Sequence, residues 1–286
     1  MALLLACACT RDPICDEVSR YRIDFSLDRN VRYCVEKDPS LVQVMFYDLS
    51  TGRKVDEYYM EPQGGYLYAI QSGEYGIIAY GMSENSTSVN FTKDLGLVTA
   101  ETKEIQKNPK VITAPGHLFA GTVIPAVIPY LTDADLPFVL TIGLKSICDS
   151  WKVVITGVKG LEYASSVTLY LSGQKSEVYL KDMDARGDCT IMASGAVLAK
   201  SGTAEIPFCT FGMNTDRDII AKVILEAQDR QKHTREFNVT DQVRDPLNTD
   251  HVITIDFPVE LLPMIQGGLD PGADEWDEHH EFIDVK

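Results

Sequence analysis

No apolar run in this chain of 286 residues approaches the roughly 20 residues that a membrane-spanning helix needs. The longest candidate, Val123 to Leu131, is interrupted by Pro125 and Pro129. Positive charge is also in deficit, with 26 Lys and Arg against 42 Asp and Glu and a formal net charge of -16. A field of that sign repels phosphate backbones, so nucleic acid is not an expected partner. The seven cysteines include no C-x-x-C pair, which leaves a zinc site without support. Nucleotide-binding glycine patterns are missing, since neither Gly64-Gly65 nor Gly267-Gly268 precedes a helix-like stretch. No Ser or Cys lies in a recognisable nucleophile motif, and His117, His233 and His251 stand alone. No catalytic residue, metal ligand or cofactor site is therefore assigned, and no enzymatic activity is expected.

Short strand-like runs are what the chain has in abundance. Leu41 to Asp48, Lys54 to Met60, Gln63 to Ile70 and Ser72 to Gly81 are rich in Val, Ile, Tyr and Phe and are closed by Gly, Ser or Asp. They read as a meander of four antiparallel strands. Val42, Val44 and Phe46 fall on one face, and Gln43, Met45 and Tyr47 on the other, because side chains alternate along a strand. One face packs, and the other is wet or shared.

Arg20 to Leu27 alternates polar with apolar residues and reads as the first strand. Val89 and Phe91 begin another short one, and a short helix is expected around Thr99 to Lys107. Further strands are Pro137 to Cys148, Trp151 to Val158, Cys189 to Ser194, Ala204 to Phe211, Ile219 to Glu226, Thr234 to Val239 and His251 to Phe257. Val167 to Leu171 and Ser176 to Leu180 are expected to form a hairpin across Ser172-Gly173-Gln174-Lys175. Near-regular strands with little helical period indicate an all-β protein of two tandem β-sandwiches. The expected division is a signal remnant and tether over 1–17, an N-terminal sandwich over 18–130, a C-terminal sandwich over 131–262 and an acidic flexible tail over 263–286.

The first residues, Met1 to Cys7, resemble the end of a bacterial lipoprotein signal: an apolar run, a small residue, then a cysteine to be acylated. A basic n-region is missing and the apolar run is short, so either the start is assigned too late in the gene or the N-terminus is a buried apolar one. The polar stretch Thr10 to Glu17 is tether-like and favours Cys7 as the lipidation site, with Cys9 the weaker acceptor. Six cysteines then remain, an even number that permits disulfides in an exported chain. Cys148 and Cys209 lie in strand-like surroundings and read as buried free thiols.

Several patterns imitate chemistry. Ser172-Gly173-Gln174-Lys175 matches S-x-x-K but has no S-D-N or K-T-G partner. In the tail, Asp270, Asp274, Glu278 and Glu281 are spaced as in a calcium loop, yet Glu275 stands where the sharp turn needs Gly. His279 and His280 are adjacent, and neighbours in an extended chain point to opposite sides. The Asn85, Asn90 and Asn238 triplets match a glycosylation pattern that a bacterial export signal makes uninformative.

Val42 to Asp48, the Gly64-Gly65 turn, Ser72-Gly73-Glu74-Tyr75 and the Asn85 region resemble the first domain of fimbrillin-like lipoproteins of Bacteroides and its relatives. Leu118-Phe119-Ala120-Gly121, Gly157 to Leu161, Phe211-Gly212 and Phe237 to Val243 are similar to the same family, in the same order. The resemblance implies two transthyretin-like Greek-key sandwiches and a lipid-anchored place at the outer membrane. It also implies a role as anchor, accessory or tip subunit, with fimbrial subunits or other surface proteins as partners. Such subunits are thought to polymerise by strand complementation, in which an open sheet edge accepts an extended segment. The competing expectation is a stand-alone surface lipoprotein binding carbohydrate or peptide, with Tyr58, Tyr59, Tyr66 and Tyr68 as a stacking face.

Overall fold

The structure is a computed structural model that describes residues 20–28, 32–33, 38–68, 70–82, 87–132, 135–195, 197–198 and 202–262. The strands of the first half are β1 (Tyr21–Asp28), β2 (Val42–Asp48), β3 (Lys54–Met60), β4 (Gly64–Leu67), β5 (Gly73–Met82), β6 (Thr87–Asn90), β7 (Thr99–Thr102), β8 (Glu104–Lys107), β9 (Lys110–Thr113) and β10 (Leu118–Ile128). Those of the second half are β11 (Phe138–Ser146), β12 (Asp149–Lys159), β13 (Ala164–Gln174), β14 (Glu177–Tyr179), β15 (Asp184–Arg186), β16 (Cys189–Ser194), β17 (Val197–Leu198), β18 (Ala204–Thr210), β19 (Ile220–Ala227), β20 (Lys232–Asn238) and β21 (Val252–Glu260). A single short α-helix among the described residues, α1 (Thr240–Arg244), precedes β21. The fold is all-β, as the strand periodicity indicates.

The first sheet runs β3-β2-β5-β10-β11-β1-β4. Its β10 and β11 pair at only two register positions, Phe119 with Ser146 and Ala120 with Lys145. Beyond that corner the two leaves part and enclose Ile23, Val44, Phe46, Leu67, Ile77, Phe119 and Ile142. The four expected strands between Leu41 and Gly81 exist, but they are not a meander. β2 lies between β3 and β5, whereas β4 pairs with β1 at the far edge. A ten-residue β5 offers β2 a long ladder, while the short, glycine-led β4 fits only where a backbone comes close.

The second face of β2 is shared, not wet. Met45, Phe46 and Tyr47 are consecutive and all fully buried, which a strand with one wet face does not allow. Met45, Tyr47, Ile78 and Tyr80 pack against Ala100, Val178, Leu180, Cys148, Cys209 and Phe211. Much of that cover comes from the small sheet β15-β14-β7-β6.

The remaining two sheets, β17-β18-β12-β21 and β20-β19-β13-β16-β9-β8, face each other across a third core that includes Val153, Ile155, Leu169, Leu171, Ile191, Ile206, Val223, Ile253 and Phe257. Two expectations fail here. Thr99 to Lys107 is not a helix but β7 and β8, because Ala100 is drawn into the shared core and β8 folds back on β9, whose Val111 and Ile112 are buried. Ser176 to Leu180 does not run back along β13, since β14 pairs with β7 and β15. Gly173 at φ 70° turns the chain, and Val178 and Leu180 then bury in the shared core. Strands also cross the expected division at 130 in both directions: β8 and β9 join the later sheet, and β11 joins the first.

Candidate functional site

The feature of this fold that bears on assembly is the seat of β1. Tyr21, Ile23, Phe25 and Leu27 face the first core, with Ile23 fully buried, while Arg22, Asp24, Ser26 and Asp28 face outward. Eight residues of β1 run parallel to β11, from Tyr21 beside Phe138 to Asp28 beside Lys145. Four run antiparallel to β4. The first strand of the described chain thus fills a slot between a strand that begins well over a hundred residues later and a short edge strand.

Glycine shapes one wall of that slot. A Cβ on Gly64, which sits at φ 113°, would lie 2.1 Å from the Ile23 carbonyl oxygen. Only glycine lets β4 approach β1 so closely. The entrance is held by the segment between β10 and β11. Tyr21 Oη donates to the Pro129 carbonyl at 2.9 Å, the Phe138 amide donates to the Arg20 carbonyl at 2.8 Å, and the Arg20 guanidinium donates to the Thr132 carbonyl. Asp135 closes the turn by accepting from the Thr132 amide at 2.5 Å and its hydroxyl at 2.8 Å. Those hydrogen bonds hold its carboxyl below the usual aspartate range, with nearby Arg20 adding to the effect. On the outer face Arg22 pairs with Asp24 at 2.6 Å and lies over the Tyr66 ring at 5.7 Å.

Both leaves also present free edges. Among the described residues no strand pairs with β10 beyond Ala120 on its β11 side, and Val127 and Val139 stay about half exposed there, at 57% and 48%. The outer edges are β3 and β4.

The four tyrosines do not make one stacking face. Tyr58 packs edge-on against Phe46, with ring centroids 5.7 Å apart, and its hydroxyl, with one proton to give, lies between two acceptors, Asp56 Oδ2 at 2.7 Å and the Tyr68 carbonyl at 2.6 Å. Burial, reinforced by Asp56, pushes its hydroxyl pKa upward. Tyr59 donates to Glu57 at 2.9 Å, and Tyr66 lies under Arg22. Tyr59 and Tyr68 remain mostly exposed.

Cys148 and Cys209 are buried in the shared core, as their surroundings suggested, and Cys189 is buried in the third core. Burial pushes the Cys189 thiol up to about 12. His117 is buried beside Cys209, with its Nε2 3.7 Å from Sγ, and His251 stacks on Trp151 at 4.5 Å. Two of the S-x-x-K residues tie the end of β13 to other strands: Ser172 Oγ accepts from the Ile220 amide at 2.9 Å, and the buried Gln174 accepts from Thr210 Oγ1 at 2.7 Å. No group of three or more His, Cys, Asp or Glu able to hold a metal occurs among the described residues. The lipidation candidate Cys7, the alternative Cys9 and the tail carboxylates and histidines lie outside the described residues.

Sequence signals for the β1 slot were partial. The alternation of Arg20 to Leu27 and the Gly64-Gly65 pair were visible, but nothing in their spacing indicated that they touch.

No family model and no curated protein matches the chain. Solved structures do. A candidate adhesin from Bacteroides ovatus superposes with a TM-score of 0.61 at 19% identity, covering 90% of this chain and 99% of its own. A second candidate adhesin from that species gives 0.56 at 12% identity over 82% and 87% of the two chains. The fimbrial anchor protein Mfa2 from Porphyromonas gingivalis gives 0.50 at 12% identity over 82% and 88%. At these identities the likeness is one of fold, and the chain shares the all-β sandwich fold of these proteins.

Proposed function

We propose that this chain is a non-enzymatic, fimbrillin-like surface lipoprotein that serves as an anchor, accessory or tip subunit and engages fimbrial or other surface proteins by β-strand complementation. The observation that carries the reading is the β1 slot. An N-terminal strand seated between β11 and β4, with Ile23 as its buried anchor, is the arrangement in which one extended segment can replace another without disturbing the rest of the core. The part-exposed edges of β10 and β11 offer a second place for an extended partner. The shared fold with adhesins and a fimbrial anchor supports the surface role.

In this reading, two sandwich domains meet near Tyr130 and are braced by the strands exchanged across that point. Acylation of Cys7 anchors the chain at the outer membrane. The test is mass spectrometry of the N-terminal peptide from the full-length product in its native host, with membrane fractionation and co-purification of fimbrial subunits. A diacylglyceryl group on Cys7, outer-membrane partition and captured subunits are the expected results. An unmodified N-terminus in a cytosolic protein ends the reading.

A stand-alone carbohydrate- or peptide-binding lipoprotein is the alternative, favoured by the exposure of Tyr59 and Tyr68. It predicts saturable sugar or peptide binding with no captured fimbrial subunit.

A further inference from the structure

β21 is an edge strand, hydrogen-bonded on one side to β12 in parallel and bordered on the other by no strand among the described residues. An edge of this kind exposes a row of N–H and C=O groups that can pair with another chain. Here the groups of Val252 and Thr254 are already taken. The Thr254 amide donates to Gln242 Oε1 at 2.7 Å, and Gln242 Nε2 donates back to the Thr254 carbonyl at 2.9 Å. The Val252 amide donates to Asn248 Oδ1 at 3.1 Å, and Asn248 Nδ2 donates back to the Val252 carbonyl at 2.8 Å. A primary amide carries the same acceptor and donor as a peptide group. Two of them therefore meet alternate residues of β21 as a neighbouring strand would. Further along, Pro258 has no N–H to offer.

The segment that carries the amides is itself held down. The Ile219 amide donates to the buried Thr240 hydroxyl at 2.8 Å, the Val239 amide to the Ile219 carbonyl at 2.9 Å, and Arg244 Nη2 to the Arg217 carbonyl at 2.9 Å. Asn248 Nδ2 also reaches the Gln242 carbonyl at 2.8 Å, tying the two amides together.

We propose that Gln242 and Asn248 form an edge plug that blocks antiparallel pairing of β21 with β21 of a second copy of this chain. The second copy is the fitting occupant because identical edges pair by two-fold symmetry. Centred on Thr254, such a pairing sets Thr254 opposite Thr254 and Val252 opposite Asp256, with no like charges face to face. The plug closes this edge to strand addition, and it holds whether or not the strand-complementation reading does.

The test compares the full chain with Gln242→Met/Asn248→Leu, which keeps side-chain size and removes the amides. Sedimentation velocity over a wide concentration range is expected to hold the wild type at 31.7 kDa. The double variant is expected to rise toward twice that mass, and adding Thr254→Pro, which removes the outward N–H, to return it to monomer. A double variant that stays monomeric with an unchanged circular dichroism spectrum overturns the plug, as does a wild type that dimerises through β21. Should the double variant not fold, Gln242→Met alone decides. Its Thr254 amide is expected to exchange about tenfold faster in dilute solution, through loss of one hydrogen bond of ordinary strength. Unchanged exchange overturns the proposal.

Discussion

Gly121 and Gly143 touch where β10 crosses β11, so closely that a Cβ on Gly121 would lie 2.1 Å from the Gly143 carbonyl oxygen. This contact sits one residue beyond the last paired position on β10 and two beyond it on β11, and marks the corner at which the first sheet folds over its core. A backbone atom cannot move aside as the end of a flexible side chain can. Gly121→Ala is therefore expected to destabilise the fold by about 2 kcal/mol or more, read as a lower midpoint in denaturant unfolding.

The β1 slot predicts a contrast between neighbours. Ile23 is fully buried among Val44, Phe46, Leu67 and Ile142. Ile23→Ala should cost about 2 to 5 kcal/mol in the same assay. Arg22 lies on the outer face, pairing with part-exposed Asp24 and lying over the Tyr66 ring. Arg22→Ala should change stability by about 0.5 kcal/mol or less.

Asp48 caps the turn between β2 and β3, accepting from the Ser50 hydroxyl at 2.6 Å and the Thr51 amide at 2.7 Å. These bonds hold its carboxyl below the usual aspartate range. A depressed value means that the capping contribution is complete above the unfolded-state pKa of about 3.9 and is lost as pH falls through the lower folded-state value. An NMR titration should place the Asp48 midpoint below that of a free aspartate, with the Thr51 amide shift following the same curve. A midpoint at the ordinary value would show that the cap does not form in solution.

Thiol chemistry provides an independent check on the cores. Cys148, Cys189 and Cys209 are all buried, and at neutral pH the Cys189 thiol is almost wholly protonated because its value is pushed up to about 12. Alkylation of the native protein followed by peptide mapping should leave these three unmodified. In denaturant all three should label. Rapid native labelling of Cys148 or Cys209 would contradict the shared core.

The strands were legible because their causes are local. β2, β5, β12, β19 and β21 are rich in branched and aromatic residues with turn residues between them, which fixes an extended backbone with little help from elsewhere. The buried thiols were legible for a related reason, since strand-like apolar neighbours at Cys148 and Cys209 already implied an interior position.

Partnership was not legible. β4 leaves the expected meander for β1, β14 leaves β13 for β7, and Thr99 to Lys107 forms strands instead of a helix, because each segment is too short to choose a partner by its own pattern. The amides of Gln242 and Asn248 carry no signal in sequence, as their role exists only where Thr254 and Val252 present a bare edge. Local alternation and turn chemistry determined that this is an all-β chain. Long-range burial, with Tyr47 and Met45 needing a cover that Val178 and Leu180 supply from far along the chain, decided which strands meet.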